Sequence, residues 1–395
     1  MRRDGLAAAL VATTAAQGLA TLAVFVLPVL APLALPALGL PARLVGWQVA
    51  LVYVLAATTS GFAGGALQRW GPARCTQIAL GAAALGCLAI ALGGLPGVAL
   101  GSVLIGSGYG LTNPAASQVL ARLAPAQRRN LIYGIKQTGV PLGAALAGAV
   151  LPTAGLWLGW HGAAIAFAAV LLAATLWLGL FRAAWDTATD ATAPLRAGAG
   201  GLGVLAHSAP LRAVSLTGAL YAAIQLSLST YAVTMLVEEF HWSPVQAGGA
   251  AAIMQLVGAA ARLAWAVPAD RIGGLPMLAI IGMASVVAAL LMPWAPGWHS
   301  TAVLVLLSAM GFCVAGWNGV LMAEASRLGG RMGHGVAVGA VVACSFAGVV
   351  AGPSVFALLV AWWHSYAMAF AIMAVLPLAG GIIAWQAHRL ERSGN

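Results

Sequence analysis

Long apolar runs, separated by short polar or glycine- and proline-rich turns, make up nearly the whole chain. Twelve can be counted, at about residues 6–33, 45–68, 75–94, 98–121, 131–153, 162–182, 211–237, 245–268, 275–293, 299–325, 334–361 and 365–387. Each is close to the ~20 residues that an α-helix needs to cross a bilayer. The pattern therefore predicts an all-α integral membrane protein with twelve transmembrane helices. The first run follows Arg2 and Arg3 as a signal peptide would, but it far exceeds the roughly 7–15 residues of a signal core, so it reads as the first helix.

The same pattern repeats internally. Adding 205 to Gly106, Asn113, Arg122, Gly134 and Gly143 gives Gly311, Asn318, Arg327, Gly339 and Gly348. Gln17 and Gln225 are 208 apart, as are Thr21 and Ser229. A repeat of this length fixes the architecture before any single residue does. It predicts two similar six-helix halves, residues 1–184 and 211–395. Between them, residues 185–210 hold Asp186, Asp190 and the small-residue run Ala197–Gly203, and read as a cytoplasmic linker.

Composition agrees. Charged residues are 7% of the chain and hydrophobic residues 62%, against roughly 25% charged in a soluble domain. The net charge of +10 raises the question of nucleic acid, and the positions of the basic residues answer it. Arg2, Arg3, Arg69, Arg74, Arg122, Arg128, Arg129, Arg182, Arg196, Arg212, Arg271, Arg327, Arg331, Arg389 and Arg392 all fall on one side if the N-terminus is cytoplasmic, and only Arg43 falls on the other. This is the positive-inside bias of a membrane protein, with both termini cytoplasmic. A belt of tryptophans (Trp157, Trp160, Trp242, Trp294, Trp298, Trp362, Trp363) lies on the opposite side. His161, His241, His299 and His364 fall there as well, and read as separate interfacial residues. Cys75, Cys87, Cys313 and Cys344 have no metal or disulfide spacing. No phosphate-binding loop, zinc-protease or nucleophile-elbow motif occurs, so no enzyme, no cofactor and no metal is expected.

At this point the chain resembles the major facilitator superfamily over essentially its whole length. The loop between the second and third helices of that family carries a G-x-x-x-D-R-x-G-R pattern. Here it reads Gly64-Gly65-Ala66-Leu67-Gln68-Arg69-Trp70-Gly71 with Arg74, so Gln68 stands where the family has Asp. The second half keeps the acid, in Ala269-Asp270-Arg271-Ile272-Gly273. The resemblance implies that Gln68, Arg69, Arg74, Asp270 and Arg271 form gating contacts. It also implies a substrate site near the midplane between the halves.

Ionisable residues inside the membrane are costly and are candidates for function by default. Lys136, beside Gln137 and Thr138, would present a cation to a central cavity, with snorkelling to the surface as its structural alternative. Its repeat mate is Val341. Arg262 shares a helical face with Gln255, seven residues earlier, and could fork a carboxylate. Glu324, near Arg327 and Arg331, is the candidate coupling acid, the alternative being a local ion pair. Polar residues at four-residue spacing complete the set: Gln17 with Thr21, Tyr109 with Asn113, Tyr221 with Gln225 and Ser229, and Asn318 as the mate of Asn113. Such stripes line a cavity or bond helix to helix.

Two interior cations without a clear acid at mid-depth favour a negatively charged ligand. The expected function is therefore secondary transport of a small organic anion by alternating access, with protons as the coupling ion. The setting is a bacterial inner membrane, and the protein is expected to be a monomer with no nucleic-acid partner. Proton-driven efflux of drugs or metabolites is the alternative. Gly139-Val140-Pro141-Leu142-Gly143 leans that way, through its likeness to the G-P-x-x-G-G run of drug-exporting family members.

Overall fold

The computed structural model describes residues 5–40, 44–187, 189–193 and 202–393. Arg2, Arg3, Arg43, Arg196 and most of the Ala197–Gly203 run lie outside them. The described residues form helices joined by short turns. They are α1 (Leu6–Ala37), α2 (Leu44–Trp70), α3 (Pro72–Leu92), α4 (Gly94–Leu123), α5 (Arg129–Gln137), α6 (Gly139–Leu178), α7 (Arg182–Trp185) and α8 (Val204–His207). There follow α9 (Ala209–Glu238), α10 (Pro244–Ala264), α11 (Ala266–Ile272), α12 (Gly274–Leu291), α13 (Ser300–Ala315), α14 (Trp317–Gly329), α15 (His334–Trp363), α16 (Tyr366–Met373) and α17 (Val375–Ser393).

Among the described residues, eleven stretches are long and apolar enough to cross a membrane. One of them, Ala126–Trp185, has 60 residues, which is about 90 Å of helix at 1.5 Å per residue. Gly159 breaks it, with φ 69° and ψ 163° inside α6. The break makes two crossings of one stretch, so twelve spans are present and the fifth and sixth run on through a kink.

Proline and cap chemistry explain several of the boundaries. Pro141, Pro268 and Pro377 lack the N–H that would close the helical ladder onto residues 137, 264 and 373, so the helices divide at α5/α6, α10/α11 and α16/α17. Ser243 and Gln246 form a reciprocal capping box at the start of α10, and Ser365 caps α16. His241 and His364 have positive φ (57° and 50°) immediately beyond helix ends. These two histidines thus serve as left-handed helix stops.

Cα packing groups the chain into two compact units. The first comprises Met1–Ala124, Lys136–His207 and Ser326–Ala343; the second comprises Pro125–Ile135, Ser208–Ala325 and Cys344–Asn395. Each unit therefore takes one short segment from the other sequence half.

Lipid tails supply no hydrophobic drive between helices, so close packing must hold each unit together. In the first unit, α1 meets α6 where a Cβ on Gly143 would strike the Gly18 carbonyl. In the second, the repeat mate Gly348 meets the Ala219 carbonyl of α9 in the same way. The two glycines are thus one close contact made twice. Ser60 Oγ donates to the Gly110 carbonyl at 2.7 Å and ties α2 to α4. Large apolar side chains such as Trp157 (84% exposed) face outward, as a lipid-facing surface requires.

Candidate functional site

The first unit buries a cluster of four polar side chains. Lys136 is the penultimate residue of α5 and is only 2% exposed. Its Nζ donates to Gln17 Oε1 at 2.8 Å, to Asn113 Oδ1, and at 3.5 Å to Gln137 Oε1. The three acceptors come from α1, α4 and the last residue of α5. Burying an ammonium is costly unless its donors are met, and amide oxygens meet them here. The snorkelling alternative does not describe this geometry, because Nζ is held inward. Gln17 is fully buried, and its Nε2 has no acceptor. An unmet N–H group therefore lies beside the ammonium.

The second half of the repeat carries the two amides without the lysine. Asn318 Nδ2, the mate of Asn113, donates to Gln225 Oε1, the mate of Gln17, at 3.0 Å. The repeat mate of Lys136 is Val341, which is buried in the first unit. In one half of the repeat the two amides bond each other; in the other, both turn their oxygens to a cation and leave Gln17 Nε2 unmet. The helical divisions fall beside these residues. Thr138 follows Lys136 and Gln137, Gly316 precedes Asn318 by two, and Trp265 follows Arg262 by three. Transporter sites are typically built at such broken helices.

The other expected residues are placed as follows. Arg262 is buried on α10, and its carbonyl lies against Gly134. Gln255, expected on the same face, is exposed. Tyr109 is buried and stands edge-on to Tyr53, with ring centroids 6.1 Å apart. Tyr221 is buried against Gly380 and Gly282, and its hydroxyl donates to the Leu278 carbonyl of α12 at 2.7 Å. Its chemistry is thus directed at helix packing. Sequence reading passed over two further residues. Gln48 on α2 is 3% exposed with neither amide atom bonded, and the buried indole N–H of Trp317, next to Asn318, has no acceptor. Each is a lone polar group in an apolar run, with no periodic partner to mark it.

Carboxylates gather at helix N-termini. Asp270 Oδ1 accepts from the Asn130 backbone N–H at 2.7 Å and from Asn130 Nδ2 at 2.9 Å, and Oδ2 accepts from the Leu131 N–H at 3.1 Å. It caps α5, the helix that carries Lys136. Asp186 does the same for α3, accepting from the Ala73 and Arg74 N–H groups at 2.7 and 3.2 Å. Gly71 (φ 83°) leaves room for it, since a Cβ there would strike the carboxylate. Glu239 accepts from the Tyr366 and Ala367 N–H groups at the start of α16. Buried Glu324 places Oε2 2.6 Å from where a Cβ on Gly274 would stand, at the start of α12. The positive end of the helix dipole favours an anion at each place. Burial pushes the Asp186 carboxyl above the usual carboxylate range, opposed by the two N–H groups, Arg182 and Arg122.

Gln68, Arg69, Arg74 and Arg271 are exposed. Gln68 contributes its backbone carbonyl, which accepts from the Asp190 N–H at 2.8 Å.

Residues 13–338 match the family model for the Major Facilitator Superfamily, well over half of the chain. The chain belongs to the major facilitator superfamily. It is therefore a multi-pass membrane protein of a transporter superfamily rather than of an enzyme family. Two curated relatives, uncharacterised MFS-type transporters from two strains of Mycobacterium tuberculosis (CDC 1551 / Oshkosh and H37Rv), are each 27% identical over 281 residues. That match covers 69% of this chain and 61% of each relative, so the chain spans about three fifths of their length. Among solved structures, the human organic anion transporter MFSD10 (TETRAN) superposes with a TM-score of 0.78 at 17% identity, covering 95% of this chain and 98% of that one. The transporter FucP in its outward conformation gives 0.73 at 16%, covering 96% and 98%. The proton:xylose symporter XylE gives 0.68 at 17%, covering 96% and 95%. At these identities the likeness is one of fold.

Proposed function

We propose that this superfamily member carries a small organic anion, of carboxylate type, across a bacterial inner membrane by alternating access of its two six-helix halves. The observation that carries the reading is the buried Lys136 ammonium beside the unmet Gln17 Nε2. An anion entering there would take the Gln17 N–H group and replace the weakest acceptor, Gln137 at 3.5 Å. Charge-assisted hydrogen bonds to both groups would offset the cost of drying the anion. The bond between Asn318 and Gln225 in the other unit, made without a lysine, supports one side of the repeat, and not both, recognising charge. Arg262 is the second cation of the proposed path. An organic anion transporter among the structural neighbours is consistent with the reading.

Asp270 is the proposed gating acid, with Gln68, Arg69, Arg74 and Arg271 around the two cytoplasmic loops. Its cap on α5 binds a segment of the first sequence half to the second unit, and releasing it frees the helix that carries Lys136. Protons are the proposed coupling ion, with Glu324 as the candidate coupling acid. Residues 1–184 and 211–395 are the proposed moving halves, residues 185–210 their linker, and both termini cytoplasmic.

The test is thermal stabilisation of purified protein by carboxylates, sulfonates, neutral drugs and lipophilic cations, followed by uptake of each hit into proteoliposomes under an imposed pH gradient. Anion-selective stabilisation that disappears in Lys136→Ala, with gradient-driven uptake of the same compound, supports the reading. Stabilisation by cations or neutral drugs that Lys136→Ala leaves intact overturns it in favour of efflux.

A further inference from the structure

A groove of about 760 Å³ runs along the second unit between α12 and α17. Its floor is made of small residues, among them Ala279, Ala284 and Gly381, and its walls of Met283, Val287 and Ile382. The cause is the helix crossing. Gly282 approaches the Pro377 carbonyl and Gly381 so closely that no side chain can stand between them. The groove opens beside that crossing, at Gly381. At the C-terminal end of α17 the character changes, because Trp385, Gln386 and Arg389 line the groove there. The Arg389 guanidinium lies over the Trp385 ring, 5.7 Å from its centroid.

We propose that this groove is a binding site for one anionic phospholipid. Its acyl chain lies along the valley and its phosphate rests on Arg389, with Trp385 at the level of the glycerol backbone. Three observations carry this occupant. From Gly381 to Arg389 the groove covers eight residues, about 12 Å of helix, close to the roughly 15 Å depth of one leaflet's hydrocarbon. Its apolar walls are exposed, Met283 at 48% and Ile382 at 46%, so they meet lipid. The polar groups sit at one end, where tryptophan and arginine suit a headgroup and a tail does not. Arg389 and Arg392 give that end a positive balance over Glu391. A basic residue near an anionic membrane surface contributes about 1 kcal/mol, or about fivefold in binding. The groove lies on the face of α17 next to Tyr221, whose hydroxyl fixes α12, so a bound lipid would brace the same helix pair. The proposal uses neither Lys136 nor the substrate.

The experiment is tryptophan quenching by lipids brominated on the acyl chain, with purified protein in neutral detergent micelles. Brominated phosphatidylglycerol is compared with brominated phosphatidylcholine, and the Trp385→Phe variant isolates the signal of that ring. The expected result is a Trp385-specific quench that is about fivefold more sensitive to phosphatidylglycerol. Arg389→Gln should remove the preference, whereas Arg392→Gln, one turn beyond the groove, should keep most of it. Ala284→Phe should reduce quenching by both lipids, and native mass spectrometry of that variant should show one fewer retained phospholipid. Equal quenching by the two lipids, or equal loss in Arg389→Gln and Arg392→Gln, would overturn the site in favour of diffuse surface charge. Unchanged quenching in Ala284→Phe would refute the groove as the place of the acyl chain.

Discussion

The substitution Lys136→Val gives the first sequence half the residue that the second carries at the matching repeat position, Val341. In the second half Asn318 is bonded to Gln225 at 3.0 Å. With valine at 136, Asn113 Nδ2 should turn to Gln17 Oε1 and form the same bond. The fold loses three hydrogen bonds to a charged donor, two strong and one weak, at about 1.5–3 kcal/mol for each good one. It regains one neutral bond of about 1 kcal/mol and no longer buries a cation, which costs several kcal/mol per ion. These contributions nearly cancel, so the melting temperature without ligand should move by only a few degrees. Anion binding should not survive. Removing one partner of a buried charge pair costs at least about 2 kcal/mol, or roughly 30-fold in affinity. A carboxylate present at 100 times its dissociation constant stabilises the wild type by about 2.7 kcal/mol. At the same concentration a 30-fold weaker site gives RT ln(1 + 3.3), about 0.9 kcal/mol. The assay is a pair of melting curves for each protein, with and without ligand. Anion stabilisation of the variant equal to that of the wild type would refute the argument, since the cation would then not be what binds. A variant that melts far below the wild type without ligand would refute the repeat argument, since the amides would then have failed to pair.

Asp270→Asn keeps one oxygen for the N–H groups of α5 and loses the charge. The cap should weaken by about 1–3 kcal/mol, read as faster labelling of a single cysteine placed at Leu131 by a soluble maleimide; an unchanged rate would remove Asp270 from the gate. Tyr221→Phe loses the 2.7 Å bond to Leu278 and should lower stability by about 0.5–1.5 kcal/mol while leaving anion affinity intact; a large loss of affinity would return Tyr221 to the substrate site. Burial raises the Asp186 carboxyl above its unfolded value, so the folded state holds that proton more readily, and this residue's contribution to stability declines as pH rises through the window above about 3.9. Asp186→Asn should flatten that decline in melts taken between pH 4 and 7, and a steeper fall would contradict the sign. Gly143→Ala brings a methyl group onto the Gly18 carbonyl and should cost about 1–3 kcal/mol as an overpacked contact; a neutral effect would show that the α1–α6 contact is not tight.

The fold was legible because the bilayer demands long apolar runs and because the chain repeats itself. The one element that read differently, the fused fifth and sixth spans, turns on Gly159. Its positive φ ends one crossing and begins the next without a polar interruption, so hydropathy alone saw only a gap. The site was half legible. Lys136, Gln17, Asn113 and Gln137 were each marked by polarity in an apolar run, and the structure gathers them. Sequence spacing could not assign Tyr221, because its four-residue step to Gln225 says nothing about which neighbour the hydroxyl meets. Gln255 and Arg262 shared a predicted face and yet differ in exposure. Both lie within the continuous α10, and spacing along one helix cannot say which neighbouring element covers each residue. Gln48 and Trp317 carried no periodic signal at all.

The placement of the acids bears most on mechanism. The chain has eight Asp and Glu residues, and four of them, Asp186, Asp270, Glu239 and Glu324, stand at helix N-termini. Each lies where unpaired helix N–H groups need an acceptor. Asp270 holds the start of α5, and Glu324 lies against the start of α12. Lys136 lies six residues beyond Asn130, whose N–H groups donate to Asp270. The proposed substrate contact and the proposed gating contact would then act on one short helix, α5, from its two ends. The nine residues of α5 are bounded by the Asp270 cap on one side and by the Pro141 break on the other. The Asp270 cap and the Pro141 break thus set α5 apart from α6 as a separate short helix.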